Sequence, residues 1–153
     1  MIELVHGNSF ELIKRVPDSS VQLVMTDVPY PDMEIHDGTD DIIPSDRWIE
    51  WFAPMAREIK RVLKDTGSFV TTINSKSDRG FYFDWVSWMK KELGLKFVLQ
   101  HYWVKRNIIP GDIAKMRFPR DAVDFIAWFA KTPRYYSDLT QIADWHEYNP
   151  NTK

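Results

Sequence analysis

A short run of an acid, prolines and an aromatic residue is the part of the sequence whose chemistry is easiest to define. Residues 24–32 read VMTDVPYPD, an apolar strand-like segment that runs into a proline-stiffened turn. The Asp27 carboxylate and the Val28 carbonyl are two acceptors, and an exocyclic amino group offers two N–H donors. Pro29 restricts Val28 to extended backbone and so fixes the direction of that carbonyl. Tyr30 adds a ring for stacking, so these four residues are candidates for binding a flat, amino-bearing ring.

The same four residues also fit a plain turn, because an acid at a strand end followed by proline is common in turns. The binding hypothesis has a clear chemical purpose. Holding both amine hydrogens on acceptors turns the nitrogen lone pair towards an electrophile. A base in a duplex must first be flipped out, which costs a few kcal/mol, and stacking on an aromatic ring returns roughly 1–3 kcal/mol. The surrounding sequence is needed to distinguish a plain turn from a site that binds an amino-bearing ring.

The frame around this run alternates between strand-like and helix-like segments. Such alternation predicts an α/β fold with a mostly parallel sheet and flanking helices. In these sheets ligands bind beyond the carboxyl ends of strands, which is where Asp27 lies. The predicted strands are 2–6, 21–27, 68–73, 95–105 and 121–131, and the predicted helices are 7–16, 46–64 and 81–93.

The helices carry recognisable start, stop and core signals. Asn8 or Ser9 is predicted to cap the first helix and Ser45 the second. Pro54 lies inside the second helix and predicts a kink or a break there, and Gly94 ends the third. The apolar spacing predicts inward-facing residues, which are Phe10, Ile13 and Val16, then Trp48, Phe52, Met55, Ile59 and Val62, then Phe81, Trp85, Trp88 and Met89.

Composition limits the number of domains and the kinds of site that the chain can contain. The chain has 153 residues, a formal net charge of −2 and 44% hydrophobic residues, which predicts one globular domain, 1–153. It has no cysteine, which excludes disulfides, thiol catalysis and Cys-ligated metals. The histidines and the acidic loop 32–46 show no ligand spacing, so no metal site is predicted. Without a signal peptide or an apolar run of about 18 residues, we expect a cytoplasmic protein with no membrane partner. The tail 132–153 is expected to be weakly ordered.

Four ordered segments together resemble the amino-group DNA methyltransferases, which methylate adenine N6 or cytosine N4. HGNSFELIKRVPDSSVQLVMTDVPY resembles the opening of that family, whose equivalent strand ends in Asp/Asn/Ser-Pro-Pro-aromatic. The later segments, in family order, are WIEWFAPMAREIKRVLKDTGSFVTTI, GLKFVLQHYWVKRNIIPG and RFPRDAVDFIAWFAKTPRYY. The resemblance spans nearly the whole chain. It implies a Rossmann-like fold in the β-type motif order, with the catalytic half present.

The resemblance also implies a reaction and its residues. Methyl would pass from S-adenosylmethionine (AdoMet) to the exocyclic amine of a flipped base, held by Asp27 and the Val28 carbonyl with Tyr30 stacked on it. An acid at position 27 favours adenine N6 over cytosine N4. Asn8 and Asn74 are candidate cofactor contacts. DNA is the expected partner, and a basic window is expected to bind its phosphates rather than be merely solvated: Lys105, Arg106, Lys115, Arg117 and Arg120.

The sequence departs from the family pattern in three places. The turn reads Asp-Val-Pro-Tyr where the family has Asp-Pro-Pro-Tyr, and Asn8 stands where an acid is usual. No Phe-x-Gly-x-Gly turn occurs, since no two of the six glycines are two positions apart. The AdoMet site is therefore expected to be incomplete, with a second chain or a dimer mate supplying that turn. The alternatives are a degenerate or split methyltransferase fold that is inactive alone and binds DNA or a complementing subunit, and a small-molecule-binding module unrelated to DNA.

Overall fold

The computed structural model of the protein describes residues 2–32, 42–74, 80–105 and 122–138. The three predicted helices and four of the five predicted strands are present in these ranges. The first helix is shorter than predicted, and the strand predicted at 68–73 begins at residue 63, where the second helix was expected to continue. The elements are α1 Ser9–Leu12, followed by a 3-10 turn Ile13–Arg15, β1 Val21–Asp27, α2 Ser45–Val62, β2 Leu63–Ile73, α3 Phe81–Lys91, β3 Lys96–Val104 and β4 Val123–Ala130.

The four strands form one mixed sheet in the order β1-β2-β4-β3. Strands β1 and β2 are parallel, and β4 is antiparallel to both β2 and β3. Three strands therefore point the same way and β4 points the opposite way. The predicted α/β class with flanking helices is confirmed, and the sheet is mixed, since one of its three strand pairings is parallel. The carboxyl ends of β1, β2 and β3 meet at one edge of the sheet.

The helices cover one face of this sheet. The core joins α2 and α3 to strand residues that include Phe69, Ile73, Ala127 and Phe129. The predicted stripe on α2 is confirmed in full, since all five of its residues are buried. On α3, however, Tyr82 takes the inward place predicted for Trp88, which is only partly buried. The reason is a partner on β4, because the Tyr82 ring stacks on Phe125 at 4.4 Å.

The opposite face of the sheet is much less covered by the described residues. Side chains alternate between the two faces of a strand, so Leu23 and Met25 of β1 point away from the helices. They are 53% and 75% exposed, and Leu99 of β3 is 45% exposed. Towards β4 this face gains some cover, because Tyr135 packs on Trp128 at 5.5 Å. An apolar sheet face of this kind is normally covered in proteins with parallel strands.

The predicted strand at 2–6 is wrong. These residues are not part of the sheet, and Ile2 and Leu4 are more than 90% exposed. The residue types favour a strand, but β-propensity depends on a neighbouring strand and a surface to pack on. Among the described residues, the sheet offers this segment neither.

The start of α2 also differs from the prediction. Ser45 is the first helical residue rather than the cap, and Pro44 at the cap position has no side chain that can accept a hydrogen bond. Asp32 supplies the acceptor instead, since its Oδ1 accepts from the Ser45 amide at 3.1 Å. Its own amide donates to the Ile43 carbonyl at 2.9 Å, so Asp32 ties together the two ends of the loop before α2. The helix then runs through Pro54 to Val62 without a break, which is one of the two outcomes predicted there.

Two glycines lie at turns where a larger residue would be strained or would not fit. Gly94 has a φ of +65° and lies in the turn that follows α3, as predicted; the Leu95 amide donates back to the Met89 carbonyl at 3.2 Å. At Gly67, a Cβ would lie 2.9 Å from the Lys64 carbonyl oxygen, so no larger residue fits without a backbone shift. The chain after β4 is better held than predicted up to residue 138, because the Tyr136 amide donates to the Thr66 carbonyl.

Candidate functional site

Asp27 is the last residue of β1 and stands at the edge of the sheet where the parallel strands end. In the parallel register it lies beside Thr72 of β2. The Thr72 hydroxyl donates a hydrogen bond to Asp27 Oδ1. The Asp27 residue is exposed, so its carboxylate can still be approached from solvent.

Tyr30 lies next to this pair, three residues beyond Asp27. Its partly buried side chain lies close enough to Thr72 and Asp27 for both residues to affect its pKa. Burial is the main cause that raises the pKa of Tyr30, to about 12; the contact with Thr72 opposes the rise, and the charges of Asp124 and Asp27 add to it. The phenol therefore stays neutral well above physiological pH.

The backbone between Asp27 and Tyr30 is anchored to the core. The Val28 side chain is buried in the helix-covered core. The Pro29 carbonyl accepts a hydrogen bond of 2.8 Å from the indole Nε1 of Trp48, which is fully buried on α2. Because two successive residues are held in this way, the turn that carries the candidate site has a fixed position relative to the sheet.

A second polar group lies at the same end of the sheet, on the same face. Asp124 of β4 is only 4% exposed and binds two residues that follow strand ends. Asn74 donates to its Oδ1 at 3.1 Å, and Lys105 forms an ion pair with its Oδ2 at 2.6 Å. A buried carboxylate needs such partners, since leaving it unpaired is costly. This group joins the ends of β2, β3 and β4 beside the Tyr30 phenol.

The structure places the residues predicted from the sequence as follows. Asp27 and Tyr30 are brought together, and Val28 and Pro29 join them. Asn8 caps α1, since its Oδ1 accepts from the Phe10 amide at 2.8 Å, and this confirms one of the two predicted caps. Asn74 and Lys105 meet at Asp124. The remaining predicted DNA contacts lie outside the described residues: Arg106, Lys115, Arg117 and Arg120.

Sequence reasoning missed Thr72 and Asp124. Asp124 left a signal, because an acid inside the apolar strand VDFIAWFA has to be paired or exposed. Thr72 left little signal, since threonine is common in strands and only the register shows its neighbour. Within the described ranges, no group of three or more acidic or histidine side chains is arranged to hold a metal ion. In the same ranges, no helix has the length and apolar character needed to cross a membrane.

The Tyr30 pKa leads to a prediction about alkaline stability. The pKa rises from 10.0 to about 12 on folding, so between these pH values the unfolded chain loses a proton that the folded chain keeps. The stabilising contribution is complete below about pH 10 and is lost as the pH rises through about 12. Urea titrations should show that Tyr30→Phe removes up to about 2 kcal/mol of this loss. Tyr82, whose pKa is also raised by burial, should retain its own share. Equal alkaline slopes for wild type and Tyr30→Phe would contradict the assignment.

Comparison with known sequences shows which family of proteins this chain resembles. The family model of N6/N4 methylases, described as DNA methylase, matches residues 21–153. The type II methyltransferase M.PvuII of Proteus hauseri is 29% identical over 155 residues, covering 89% of this chain and 43% of that protein. The DNA adenine methyltransferase YhdJ of Escherichia coli (strain K12) is 34% identical over 65 residues, covering 42% of this chain and 22% of that protein.

Solved structures agree at the level of the fold. The PvuII DNA methyltransferase, described as cytosine-N4-specific, superposes with a TM-score of 0.72 at 24% identity, covering 90% of this chain and 52% of that chain. The complex of M1.HpyAVI with SAM gives 0.53 at 22% identity, covering 86% and 56%. The chain thus spans about half the length of these two solved proteins. Because the family model matches most of the sequence, this chain belongs to the N6/N4 DNA methylase family.

Proposed function

We propose that residues 1–153 form the base-binding half of a DNA methyltransferase that modifies the exocyclic amine of a flipped base. The observation that carries this proposal is the arrangement at the end of β1. An approachable carboxylate, Asp27, lies near the Tyr30 side chain, on a turn fixed to the core. A flipped base needs such a pair, because its Watson–Crick edge is read by hydrogen bonds while its face is stacked.

Asp27, Val28 and Tyr30 each have a separate role in binding the base and its amine. The Asp27 carboxylate and the Val28 carbonyl each accept a hydrogen bond from one N–H of the amine. These two bonds aim the nitrogen lone pair away from the ring plane. AdoMet, when bound, supplies an electrophilic methyl group. As the nitrogen gains the methyl group it must release a proton, and Asp27 is the nearest base able to take it. The Tyr30 ring fixes the plane of the base during this transfer.

Adenine N6 is the proposed target, with cytosine N4 as the second candidate. The acid at position 27 favours adenine, and YhdJ is named as an adenine methyltransferase. The cytosine-N4-specific PvuII enzyme, however, matches a far larger part of the chain. The two bases share an amino group next to a ring nitrogen, so the same pair of acceptors serves either one. The product base distinguishes them directly.

DNA binding is proposed to use the basic window that follows β3. Its members are Lys105, Arg106, Lys115, Arg117 and Arg120. Such residues would hold phosphates and position the duplex without reading its sequence. Lys105 also neutralises Asp124 at 2.6 Å, so its share of phosphate binding should be smaller than that of the four arginines and lysines that follow it.

The cofactor site is proposed to be completed by polypeptide beyond these residues. Asn8 and Asn74 are candidate contacts, but both side chains already hold protein partners. The glycine turn that would carry the AdoMet carboxypropyl group has no counterpart in the sequence. A complementing chain or dimer mate would pack on the open sheet face at Leu23 and Met25. That face also carries Asp27, so such a partner would bring the methyl donor to the base.

The decisive experiment is methyl transfer from radiolabelled AdoMet to duplex DNA, followed by separation of the nucleosides. The full chain is assayed alone and together with the product of the neighbouring reading frame. N6-methyladenine in either reaction supports the proposal, and N4-methylcytosine supports it with the other base. No methylated base in both reactions, with DNA binding that weakens steeply as salt rises, favours the second candidate, a split fold that binds DNA without catalysis.

A further inference from the structure

The hydrogen bond between Thr72 and Asp27 joins two strands at the point where the proposed chemistry takes place. The register puts the two residues side by side on neighbouring parallel strands. The Thr72 hydroxyl donates to Asp27 Oδ1. Both residues are held by regular strand backbone, so the donor and the acceptor meet without any loop having to order.

The Thr72 side chain is well suited to hold another group in place. Threonine is branched at Cβ, which restricts its χ1 rotation, so its hydroxyl points in a defined direction. The preceding Thr71 is buried on the other face, and its own hydroxyl donates to the Thr72 carbonyl at 3.1 Å. The backbone of Thr72 is therefore fixed as well.

Fold stability gives little reason for this bond. Asp27 is exposed, and an exposed hydrogen bond exchanges with water at small net gain. The bond does limit rotation of a carboxylate that solvent would otherwise leave free. A carboxylate has about four lone-pair positions, so one bond from Thr72 still leaves acceptor capacity for an amine.

We infer that Thr72 is a positioning residue, which holds the Asp27 carboxylate in the orientation that accepts an amino group of the target base. The inference rests on the proposed function, because it needs Asp27 to bind that amine. The Thr72 bond stays in place when the base arrives and keeps the carboxylate aligned.

The test measures how strongly binding depends on the amino group. Fluorescence anisotropy of the full chain is recorded with labelled single-stranded oligodeoxynucleotides that differ at one base. One pair carries adenine or purine, and the other carries cytosine or pyrimidin-2-one, so each pair differs only by the amine. Wild type should prefer the amine-bearing member of one pair. Thr72→Val keeps the shape but not the hydroxyl, and should reduce that preference about tenfold.

Two further variants separate positioning from a general structural effect. Thr72→Ser restores the hydroxyl and should recover the preference to within about twofold. Asp27→Ala should lose the preference. Adding Thr72→Val to Asp27→Ala should cause no further loss, because Thr72 acts only through the Asp27 carboxylate. Thermal unfolding should be similar for Thr72→Val and Thr72→Ser.

The possible failures are distinguishable. If wild type shows no preference for the amine in either pair, the proposed role of Asp27 fails and the inference fails with it. If Asp27→Ala loses the preference while Thr72→Val keeps it, the proposed function stands and the positioning role of Thr72 is refuted. An equal loss for the valine and serine variants also refutes that role, because the hydroxyl is then not the cause.

Discussion

Asp27→Ala is expected to reduce methyl transfer at least about a hundredfold in whichever assembly is active. The carboxylate is the only charged acceptor on the turn that is proposed to hold the amine, and alanine leaves only the Val28 carbonyl. Folding should be little affected, because Asp27 is exposed and its side chain accepts a hydrogen bond from the Thr72 hydroxyl. The loss should therefore appear in the rate, measured with radiolabelled AdoMet, with an unchanged melting temperature.

Asp84→Ala is the matched control, since Asp84 is an exposed acid in the first turn of α3. It should transfer methyl at the wild-type rate. Turnover by Asp27→Ala at more than about a tenth of the wild-type rate would remove the carboxylate from the mechanism. A different turn would then have to hold the base.

Trp48→Ala is expected to lower the free energy of unfolding by about 3–5 kcal/mol. The Trp48 ring is fully buried and stacks on Phe52 at 4.8 Å, with Phe81 edge-on at 5.3 Å. Its indole also donates to the Pro29 carbonyl. Small domains are stable by only about 5–15 kcal/mol, so this single change removes a large part of the total. Urea unfolding followed by circular dichroism measures it.

Two tryptophan variants test the reason for that loss. Trp48→Phe keeps most of the buried ring but leaves the Pro29 carbonyl without its donor, so it should cost about 1–2 kcal/mol. Trp103→Ala should cost less than about 1 kcal/mol, because Trp103 is 55% exposed. Similar losses at positions 48 and 103 would show that the ring cluster on α2 is not the centre of the core.

The fold was predictable from sequence where a pattern had one dominant cause. The α2 stripe repeats at helical spacing and all its members are buried, because only one face of a helix can meet the sheet. The prediction failed where long-range partners decide. Residues 2–6 have strand-like composition without a neighbour, and Tyr82 rather than Trp88 turns inward to meet Phe125. Neither contact is encoded near the residues concerned.

The candidate site was predictable only in part for the same reason. The order Asp-Val-Pro-Tyr indicates a carboxylate, a fixed carbonyl and a ring, all within four residues. Thr72 and Asp124 reach the site from other strands. The bond between Thr72 and Asp27 spans 45 positions, and that between Asn74 and Asp124 spans 50. Only the strand order and register bring such distant residues together.

The strand order β1-β2-β4-β3 has a consequence for how the chain is assembled during synthesis. Among the described strands, β3 pairs only with β4, yet β3 leaves the ribosome first. Its aromatic residues Tyr102 and Trp103 must wait without a ladder partner until residues 123–130 emerge. The bond from Lys131 to the Leu63 carbonyl closes a loop of 68 positions, and closing long loops slows folding. The nascent chain therefore exposes an unpaired, aggregation-prone strand, which is the kind of intermediate that chaperones protect.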